Sequence, residues 1–334
     1  MEWYLPVIWG ALIGTAVALY VILDGFDLGI GILFPYAKDD REQDQMINSI
    51  APYWDGNETW LVLGGGGLWV AFPQAYAVIM PALYLPVIVM LLALVFRGVA
   101  FEFRTVADTS KKYWTFAFSA GSTLAAFCQG LILGGLIQGI TVENGIFAGG
   151  AFDFATPFAA LCGLGVVTGY ALLGATWLVM KTEGEVADRA RRHAKLLLVG
   201  VLVFMAIVSV WTPLAIPRIR ERWFSLPNIL YLWPIPAITA FVALMTWRWL
   251  EVGREYAPFF ATIVLFMLGY AGLAISVFPY LVPPSLTIWQ TAAVPASQIF
   301  MLIGTLPMLP IILVYTGFVY YVFRGKVRAG EGYH

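Results

Sequence analysis

The chain has 334 residues, of which 60% are apolar, 16% aromatic and only 12% charged, about half the charged fraction of a soluble domain. Its 19 Lys and Arg residues nearly balance its 20 Asp and Glu residues, giving a net charge of −1, so neither a surface that binds nucleic acid nor an acidic disordered tail is expected. The composition excludes a soluble globular protein and predicts that a lipid bilayer surrounds most of the chain.

The apolar residues fall into nine stretches that are long enough for an α-helix to cross a bilayer, about 20 residues each. Strands of a transmembrane barrel are excluded because the stretches do not alternate with period two. We therefore predict an all-α integral membrane protein that forms a single polytopic domain over residues 1–334. The second stretch is the least apolar, which leaves eight spans as the alternative. The nine predicted spans are 6–34, 50–72, 76–97, 114–140, 154–180, 196–216, 229–250, 258–282 and 295–323.

The distribution of basic residues predicts which side of the membrane each loop faces. With nine spans, only Arg218, Arg220 and Arg222 fall on one side, and the remaining basic residues fall on the other. Because Lys and Arg concentrate in cytoplasmic loops, the N-terminus is predicted to lie outside and the C-terminus in the cytoplasm. The first basic residue is Lys38, so the charged start of a cleavable signal peptide is missing and the first stretch is interpreted as a retained span.

Four acidic residues lie inside predicted spans rather than in loops. Asp24 and Asp27 occur in LDGFDLGIG of the first span, and Asp55 and Glu58 occur in PYWDGNETWL of the second. Each pair has i, i+3 spacing, which places both carboxyls on roughly one helix face. An ionised group at the bilayer centre costs about 2.5–3.5 kcal/mol on insertion scales, so these four side chains are expected to face the protein interior or water.

The two acidic pairs are predicted to lie at similar depths. With a rise of about 1.5 Å per residue, Asp24 and Asp27 lie roughly 12–16 Å from the cytoplasmic end of the first span, and the second pair lies roughly 8–12 Å into the next span. Neighbouring carboxyls titrate as a coupled set, so we hypothesise a route for proton uptake from the cytoplasm. The alternative is that the acids cap helices or bond to the backbone beside nearby glycines. It is strongest for Asp55, which follows Pro52 near a helix start.

Two further motifs indicate packing and charge pairing rather than catalysis. Arg97, Glu102 and Arg104 in RGVAFEFR are predicted to form an ion-pair cluster at the cytoplasmic end of the third span. The run of glycines at 64–67 lacks the GK[ST] that completes a phosphate loop, and its flanks are apolar. We therefore interpret this run as a surface for close helix packing or as a kink.

Residues that bind metals are scarce. The chain has only two histidines, His193 and His334, and two cysteines, Cys128 and Cys162. The cysteines lie in separate apolar runs without CxxC spacing, and His193 is surrounded by basic residues at the cytoplasmic interface. Because haem iron is usually held by His, Met or Cys and no histidine lies deep in a span, no haem and no metal site is expected in this chain.

Three separated motifs carry a family resemblance. DGFDLGIG (24–31), WDGNETWL (54–61) and FRGVAFEFR (96–104) resemble subunit II of the cytochrome bd-type quinol oxidases, and the likeness continues in VFPYLVPPSLTIWQTAA (277–293) and PIILVYTGFVYY (310–321). The resemblance therefore covers almost the whole chain, with the spans in order. The short loops and the ILFP ending of the first span are most similar to the branch described as cyanide-insensitive.

The resemblance implies two four-helix bundles plus one peripheral helix, in a complex of the bacterial plasma membrane that oxidises quinol and reduces oxygen to water. It implies that haem b and haem d, or a second haem of b type, lie in the partner, subunit I, and it leaves room for a structural quinone and a small single-span subunit. Acids matching Asp24, Asp27 and Asp55 are implied to take protons from the cytoplasm. Trp54 and Trp60 are implied contacts for oxygen or a quinone tail.

A proton-coupled secondary transporter is the alternative function, because such proteins also carry intramembrane carboxylates on spans interrupted by glycine. The off-centre depth of the acids and the lack of a visible internal repeat argue against a transporter. A subunit that contributes only packing and oxygen access to its complex is the third candidate.

Overall fold

Long helices make up most of the protein, which a computed structural model describes over residues 3–107 and 109–328. Two short antiparallel hairpins lie in loops and consist of β1 (Val142–Glu143) with β2 (Ile146–Phe147) and β3 (Tyr280–Val282) with β4 (Leu286–Thr287). A 3-10 turn, Phe34–Tyr36, follows the first helix. The helices are α1 (Leu5–Leu33), α2 (Asp40–Asn48), α3 (Trp54–Ala71), α4 (Pro73–Val106), α5 (Lys111–Gln138), α6 (Pro157–Lys181), α7 (Glu185–Ala215), α8 (Pro217–Phe224), α9 (Asn228–Leu232), α10 (Pro234–Val252), α11 (Ala257–Val277) and α12 (Pro295–Val322).

Eight of the described helices are long and apolar enough to cross a membrane, namely α1, α4, α5, α6, α7, α10, α11 and α12. The short helix α9 continues into α10, so that this span runs over Asn228–Val252. Each of the eight contains most of one predicted span, which confirms the all-α membrane fold. The remaining predicted span, 50–72, corresponds to α3, which has 18 residues and carries Asp55 and Glu58.

The helix α3 runs alongside α1 and, with the eight apolar helices, makes a ninth crossing of the helical bundle. Asn57, near the start of α3, contacts Asp27 near the end of α1, and Gly67, near the end of α3, lies beside Ile13 near the start of α1. The two helices are therefore antiparallel. At about 1.5 Å per residue α3 is about 27 Å long, close to the thickness of about 30 Å of a hydrocarbon core. It thus returns the chain to the side from which α1 starts.

The last helix gives an independent check on this count. The Trp9 indole, near the start of α1, donates a 3.2 Å hydrogen bond to the carbonyl of Gln298 in α12, and Phe26, near the end of α1, lies 6.5 Å from the Tyr320 ring. The first and last helices therefore run in the same direction, which requires an odd number of passages. The eight apolar helices cannot satisfy this requirement, and α3 supplies the ninth passage in the described part of the chain.

One continuous core of buried apolar side chains extends from α1 to α11. At its centre the Phe26 ring stacks on Trp177 at 4.1 Å, and Trp177 meets the edge of Phe259 at 5.2 Å. These rings join α1, α6 and α11. The two predicted bundles therefore share a core and are not separated by a cleft at this point.

The helix α12 lies at the periphery of the chain. Gln298 is its one buried residue. Its C-terminal end is held by Lys181 of α6, whose Nζ donates 2.6 Å hydrogen bonds to the carbonyls of Phe323 and Gly325. A cation at this position also interacts favourably with the negative end of the helix dipole. Polar contacts at the two ends of α12 therefore hold it against the rest of the chain.

Glycine allows α1 and α6 to pack in backbone contact. A β-carbon on Gly29 would lie 1.9 Å from the carbonyl oxygen of Tyr170, and one on Gly174 would lie 2.5 Å from the carbonyl carbon of Gly29. No larger residue fits this crossing, and close approach through small residues is how helices associate in lipid. The crossing places Tyr170 against the part of α1 that carries Asp24 and Asp27.

The glycine run at 64–67 divides between two faces of α3. Gly64 and Gly67 lie against side chains of α1, whereas Gly65 and Gly66 have open space where a β-carbon would be. The predicted packing surface is therefore formed by the first and last glycines of the run.

Gly29→Ala is expected to destabilise the protein, because the added methyl group cannot be placed without separating α1 from α6. Overpacking of this kind costs about 1–3 kcal/mol, sometimes more. Gly269→Ala in α11 is the matched control, since nothing lies within 4 Å of its added β-carbon and alanine favours a helix. Thermal unfolding of the purified protein in detergent measures both variants, and equal melting temperatures would contradict this account of the crossing.

Candidate functional site

An ion pair buried between α1 and α4 forms the centre of the site. Arg97 Nη1 lies 2.7 Å from Asp24 Oδ1, and the two side chains are 1% and 0% exposed. Taking both charges out of water is costly, and only close pairing compensates the cost. This contact is therefore a direct link between α1 and α4.

The second acid of α1 has a neutral partner. Asp27 is fully buried, and its Oδ2 accepts a 2.7 Å hydrogen bond from Asn57 Nδ2 of α3. The same amide donates to the carbonyl of Leu23 at 3.2 Å, and its Oδ1 accepts a 2.8 Å hydrogen bond from the Tyr320 hydroxyl of α12. Asn57 thus ties three helices together at the carboxyl group of Asp27.

Several polar atoms of this cluster have unused hydrogen-bonding capacity. Beyond the ion pair, Asp24 Oδ2, Asp27 Oδ1, and Nε and Nη2 of Arg97 are buried without a hydrogen-bond partner among the described residues. Buried polar groups are almost always bonded in native proteins, and exceptions occur at catalytic sites and where water or ions bind. The cluster therefore has donors and acceptors for groups that are not part of the fold.

The acids of α3 lie at the edge of the buried cluster. Glu58 is half-buried, and the charges of Arg97, Asp24 and Asp55 all act on it. Asp55 is exposed on this chain, in the first turn of α3. Glu58 thus faces the protein interior in part, whereas Asp55 faces outward from this chain. The rotation of α3 about its own axis explains why Asp55 is exposed. Asn57 faces α1, and residues two apart in a helix lie on nearly opposite faces.

The predicted ion-pair cluster of Arg97, Glu102 and Arg104 is arranged differently. Arg104 pairs with Asp44 of α2 at 2.6 Å, while Arg97 pairs with Asp24 and Glu102 is exposed. The helix period is the reason, because Arg97 and Arg104 are seven residues apart and share a face. Glu102 projects from another side of α4.

The two tryptophans of the WDGNETW motif lie in different surroundings. Trp60 is buried against Ala16 and Tyr20 and lines a small apolar cavity between α1, α3 and α12. Trp54 instead stacks on Phe101 of α4, with ring centroids 4.9 Å apart. Only Trp60 therefore lies beside a space that an apolar molecule could enter.

Sequence reasoning missed three residues that the structure brings to the site, Asn57, Tyr320 and Gln129. Gln129 of α5 accepts a 2.6 Å hydrogen bond from the Tyr170 hydroxyl and donates one of 2.8 Å to the Tyr20 hydroxyl. For Asn57 and Gln129 the missed signal is an amide side chain inside an apolar span. Amides need hydrogen-bond partners in lipid just as acids do.

The described residues contain no group of three or more His, Cys, Asp or Glu side chains that could hold a metal ion. His193 lies in α7, with its ring 5.6 Å from that of Tyr36. The cysteines Cys128 and Cys162 are buried with free thiols. His334 lies outside the described residues.

Comparison with known proteins supplies the identity that geometry alone does not. A model of the family described as cytochrome bd terminal oxidase subunit II matches residues 5–323. The chain is 30% identical to cytochrome bd-I ubiquinol oxidase subunit 2 of Escherichia coli K12, covering 96% of this chain and 94% of that protein. It is 28% identical to cytochrome bd ubiquinol oxidase subunit 2 of Bacillus subtilis 168, covering 97% of each chain.

The fold also matches a solved structure. A chain of the bd oxidase from Geobacillus thermodenitrificans superimposes with a TM-score of 0.77 and 19% sequence identity, covering 96% of this chain and 98% of that one. At this identity the match supports the fold alone. Fold and site together define a multi-pass helical membrane protein with a charged cluster buried between its helices. The sequence matches are more specific, and the chain belongs to the cytochrome bd terminal oxidase subunit II family.

Asp24→Asn is expected to destabilise the protein strongly, because it removes the carboxylate that contacts the buried Arg97 guanidinium. Breaking a buried ion pair from one side costs about 3–5 kcal/mol. Asp27→Asn is the matched control, since it removes no partner of a cation and an amide oxygen can still accept from Asn57. The melting temperature of the purified complex measures the difference. Equal stability of the two variants would show that the ion pair does not hold α1 to α4.

Proposed function

We propose that this chain takes up protons at the cytoplasmic side of the membrane and passes them toward the oxygen-reducing centre of its partner subunit. Family membership makes it one subunit of a terminal quinol oxidase and a multi-pass protein of the bacterial cell membrane. The buried set of Asp24, Asp27 and Arg97 carries the proposal. One acid is enough to neutralise Arg97, so charge compensation alone gives no reason for the second.

The acids are ordered by burial. Asp55 is exposed at the start of α3, Glu58 is half-buried about one turn further along, and Asp24 and Asp27 are fully buried. Charges act between Asp55 and Glu58 and between Glu58 and Asp24. A proton gained at the exposed acid therefore has successive carboxyl acceptors toward the interior. We assign the cytoplasmic side to this end of α3 because the neighbouring loops carry most of the basic residues.

The redox groups are assigned to the partner, subunit I. His193 is the one histidine of the described residues, and its ring packs against Tyr36 at the end of α1. Neither the His193 ring nor the two cysteines, which are packed within α5 and α6, is placed to act as an axial ligand of haem iron. We therefore propose that haem b, haem d or a second haem of b type, and quinol oxidation belong to subunit I, and that proton supply is the contribution of this chain.

Trp60 is proposed to contact an apolar molecule. The cavity beside it is lined by Trp9 and Leu309 as well, so its walls come from α1, α3 and α12. These apolar walls suit molecular oxygen or the tail of a quinone. Trp54 is not part of this cavity, and we assign it to packing against α4.

Asp27→Asn is expected to leave the complex assembled but to slow quinol-dependent oxygen reduction, by about tenfold or more. An amide cannot accept and release a proton as a carboxyl does. The loss should grow as the pH rises, because proton supply limits turnover when protons are scarce. Oxygen uptake by the purified complex across a range of pH measures the effect, and the haem absorption spectrum verifies assembly.

Asp188→Asn is the control, because Asp188 is an exposed acid in the first turn of α7, outside the cluster. Its turnover and pH profile should match the unmodified complex. If Asp27→Asn and Glu58→Gln both retain full turnover and full proton uptake at every pH, the chain supplies packing and oxygen access only. If the chain purifies alone and moves a solute without a haem-bearing partner, the secondary transporter is the correct function.

A further inference from the structure

A chain of hydrogen bonds links three helices next to the buried ion pair. The Tyr170 hydroxyl of α6 lies 2.6 Å from Gln129 Oε1 of α5, and Gln129 Nε2 lies 2.8 Å from the Tyr20 hydroxyl of α1. Tyr170 is 2% exposed and Tyr20 is 4% exposed. The proton uptake route described above uses none of these three residues.

This series of hydrogen bonds has a direction. Tyr170 donates to the amide oxygen of Gln129, and the amide nitrogen donates to the Tyr20 oxygen, so the proton of the Tyr20 hydroxyl is free to donate onward. Tyr20 lies one helical turn before Asp24 on the same face of α1, and the charge of Asp24 acts on both tyrosines. A negative carboxylate favours donors that point toward it, so the direction of the chain suits an ionised Asp24.

The charges of the cluster do not balance if both acids of α1 are ionised. Arg97 contributes one positive charge, whereas Asp24 and Asp27 would contribute two negative charges, all fully buried. An uncompensated charge at such a site is costly, so one of the two carboxyls holds a proton at rest. Asp24 has the guanidinium in contact with it and the Tyr20 hydroxyl one helical turn away, whereas the bonded partner of Asp27 is the neutral amide of Asn57.

We propose that Tyr170, Gln129 and Tyr20 are positioning residues that keep Asp24 as a fixed anion against Arg97, so that Asp27 is the carboxyl that takes up and releases the transported proton. This inference rests on the proposed function and adds a division of roles between the two acids. Asp24 provides a constant negative charge, and the proton moves on and off Asp27.

The amide of Gln129, between the two tyrosines, supports a positioning role. A proton passes readily along hydroxyls and carboxyls, because each can gain one proton while it releases another. A carboxamide cannot do this without an unfavourable change of tautomer. Gln129 therefore transmits the orientation of its neighbours to Asp24 but keeps protons from passing between Tyr20 and Tyr170.

Other charged and titratable groups surround Asp24 and Asp27. Glu58 of α3 and Arg97 of α4 carry charge, Tyr20 lies on α1 itself, and Tyr170 and Tyr320 approach from α6 and α12. Among these, Tyr170 acts on Asp24 through Gln129, so its substitution leaves the direct contacts of Asp27 unchanged. It is the most selective place to test the division of roles.

The test uses the assembled oxidase with the variants Tyr170→Phe, Gln129→Leu and Asp27→Asn. The matched control is Tyr270→Phe. The Tyr270 hydroxyl also donates a hydrogen bond inside the protein, at 2.8 Å to the carbonyl of Gly14, but it is not connected to Tyr170, Gln129 or Tyr20 by a hydrogen bond. Two quantities are measured. One is the pH at which turnover falls to half its maximum, and the other is the infrared C=O stretch of protonated carboxyl groups.

The inference predicts that Tyr170→Phe and Gln129→Leu move the half-maximal pH upward by at most about 0.5 to 1 unit, because the lost hydrogen bond orients Tyr20 and is not made to Asp24 itself. A weaker hold on the Asp24 anion makes the doubly ionised state less favourable, so the site keeps its one proton to a higher pH. Tyr270→Phe should cause no shift. The infrared band should disappear in Asp27→Asn and remain in the other variants.

Two results would overturn the inference. Either Tyr170→Phe leaves the half-maximal pH where Tyr270→Phe leaves it, or the infrared band persists in Asp27→Asn. Tyr170→Phe removes a single oxygen atom, so the test stands even if Gln129→Leu fails to assemble. Unchanged turnover of Asp27→Asn at every pH would instead refute the proposed function, which separates the two failures.

Discussion

The rest of the structure depends on the compensation of one buried cation. Arg97 is carried by α4 into a part of the protein where neither water nor lipid can solvate its charge, so a counter-charge must lie in contact with it. Asp24 of α1 meets this need at 2.7 Å. The pair links α1 to α4, and three residues further along α1 the second acid, Asp27, meets Asn57 of α3.

The asymmetry between the two acids of α1 underlies the proton uptake that we propose for this site. Asp24 contacts the guanidinium of Arg97, whereas Asp27 is bonded by the neutral amide of Asn57. Two carboxyls that differ in this way do not compete equally for a proton, and such pairs are typical of proton transfer. Glu58 and Asp55 extend the acids from the buried cluster to the surface of the chain.

Small residues make this arrangement possible. Contact between Gly29 and Gly174 lets α6 approach α1 closely, and Gly31 admits the side chain of Ser122 from α5. Only at this separation can Tyr170 and Gln129 reach the neighbourhood of Asp24. In a bilayer the apolar side chains gain little by leaving lipid, so tight packing and buried polar contacts hold the helices together.

The sequence by itself determined the all-α membrane fold and the positions of the apolar spans, because lipid imposes strict limits on the length and polarity of each span. It also identified α3 as the weakest span. The tertiary structure alone decided that Asn57 faces α1 while Asp55 faces outward, and that Arg97 pairs with Asp24 rather than with the nearby Glu102. The physical reason is that residue spacing relates faces within one helix, whereas the choice of which face meets which neighbour belongs to the packing of all the helices together.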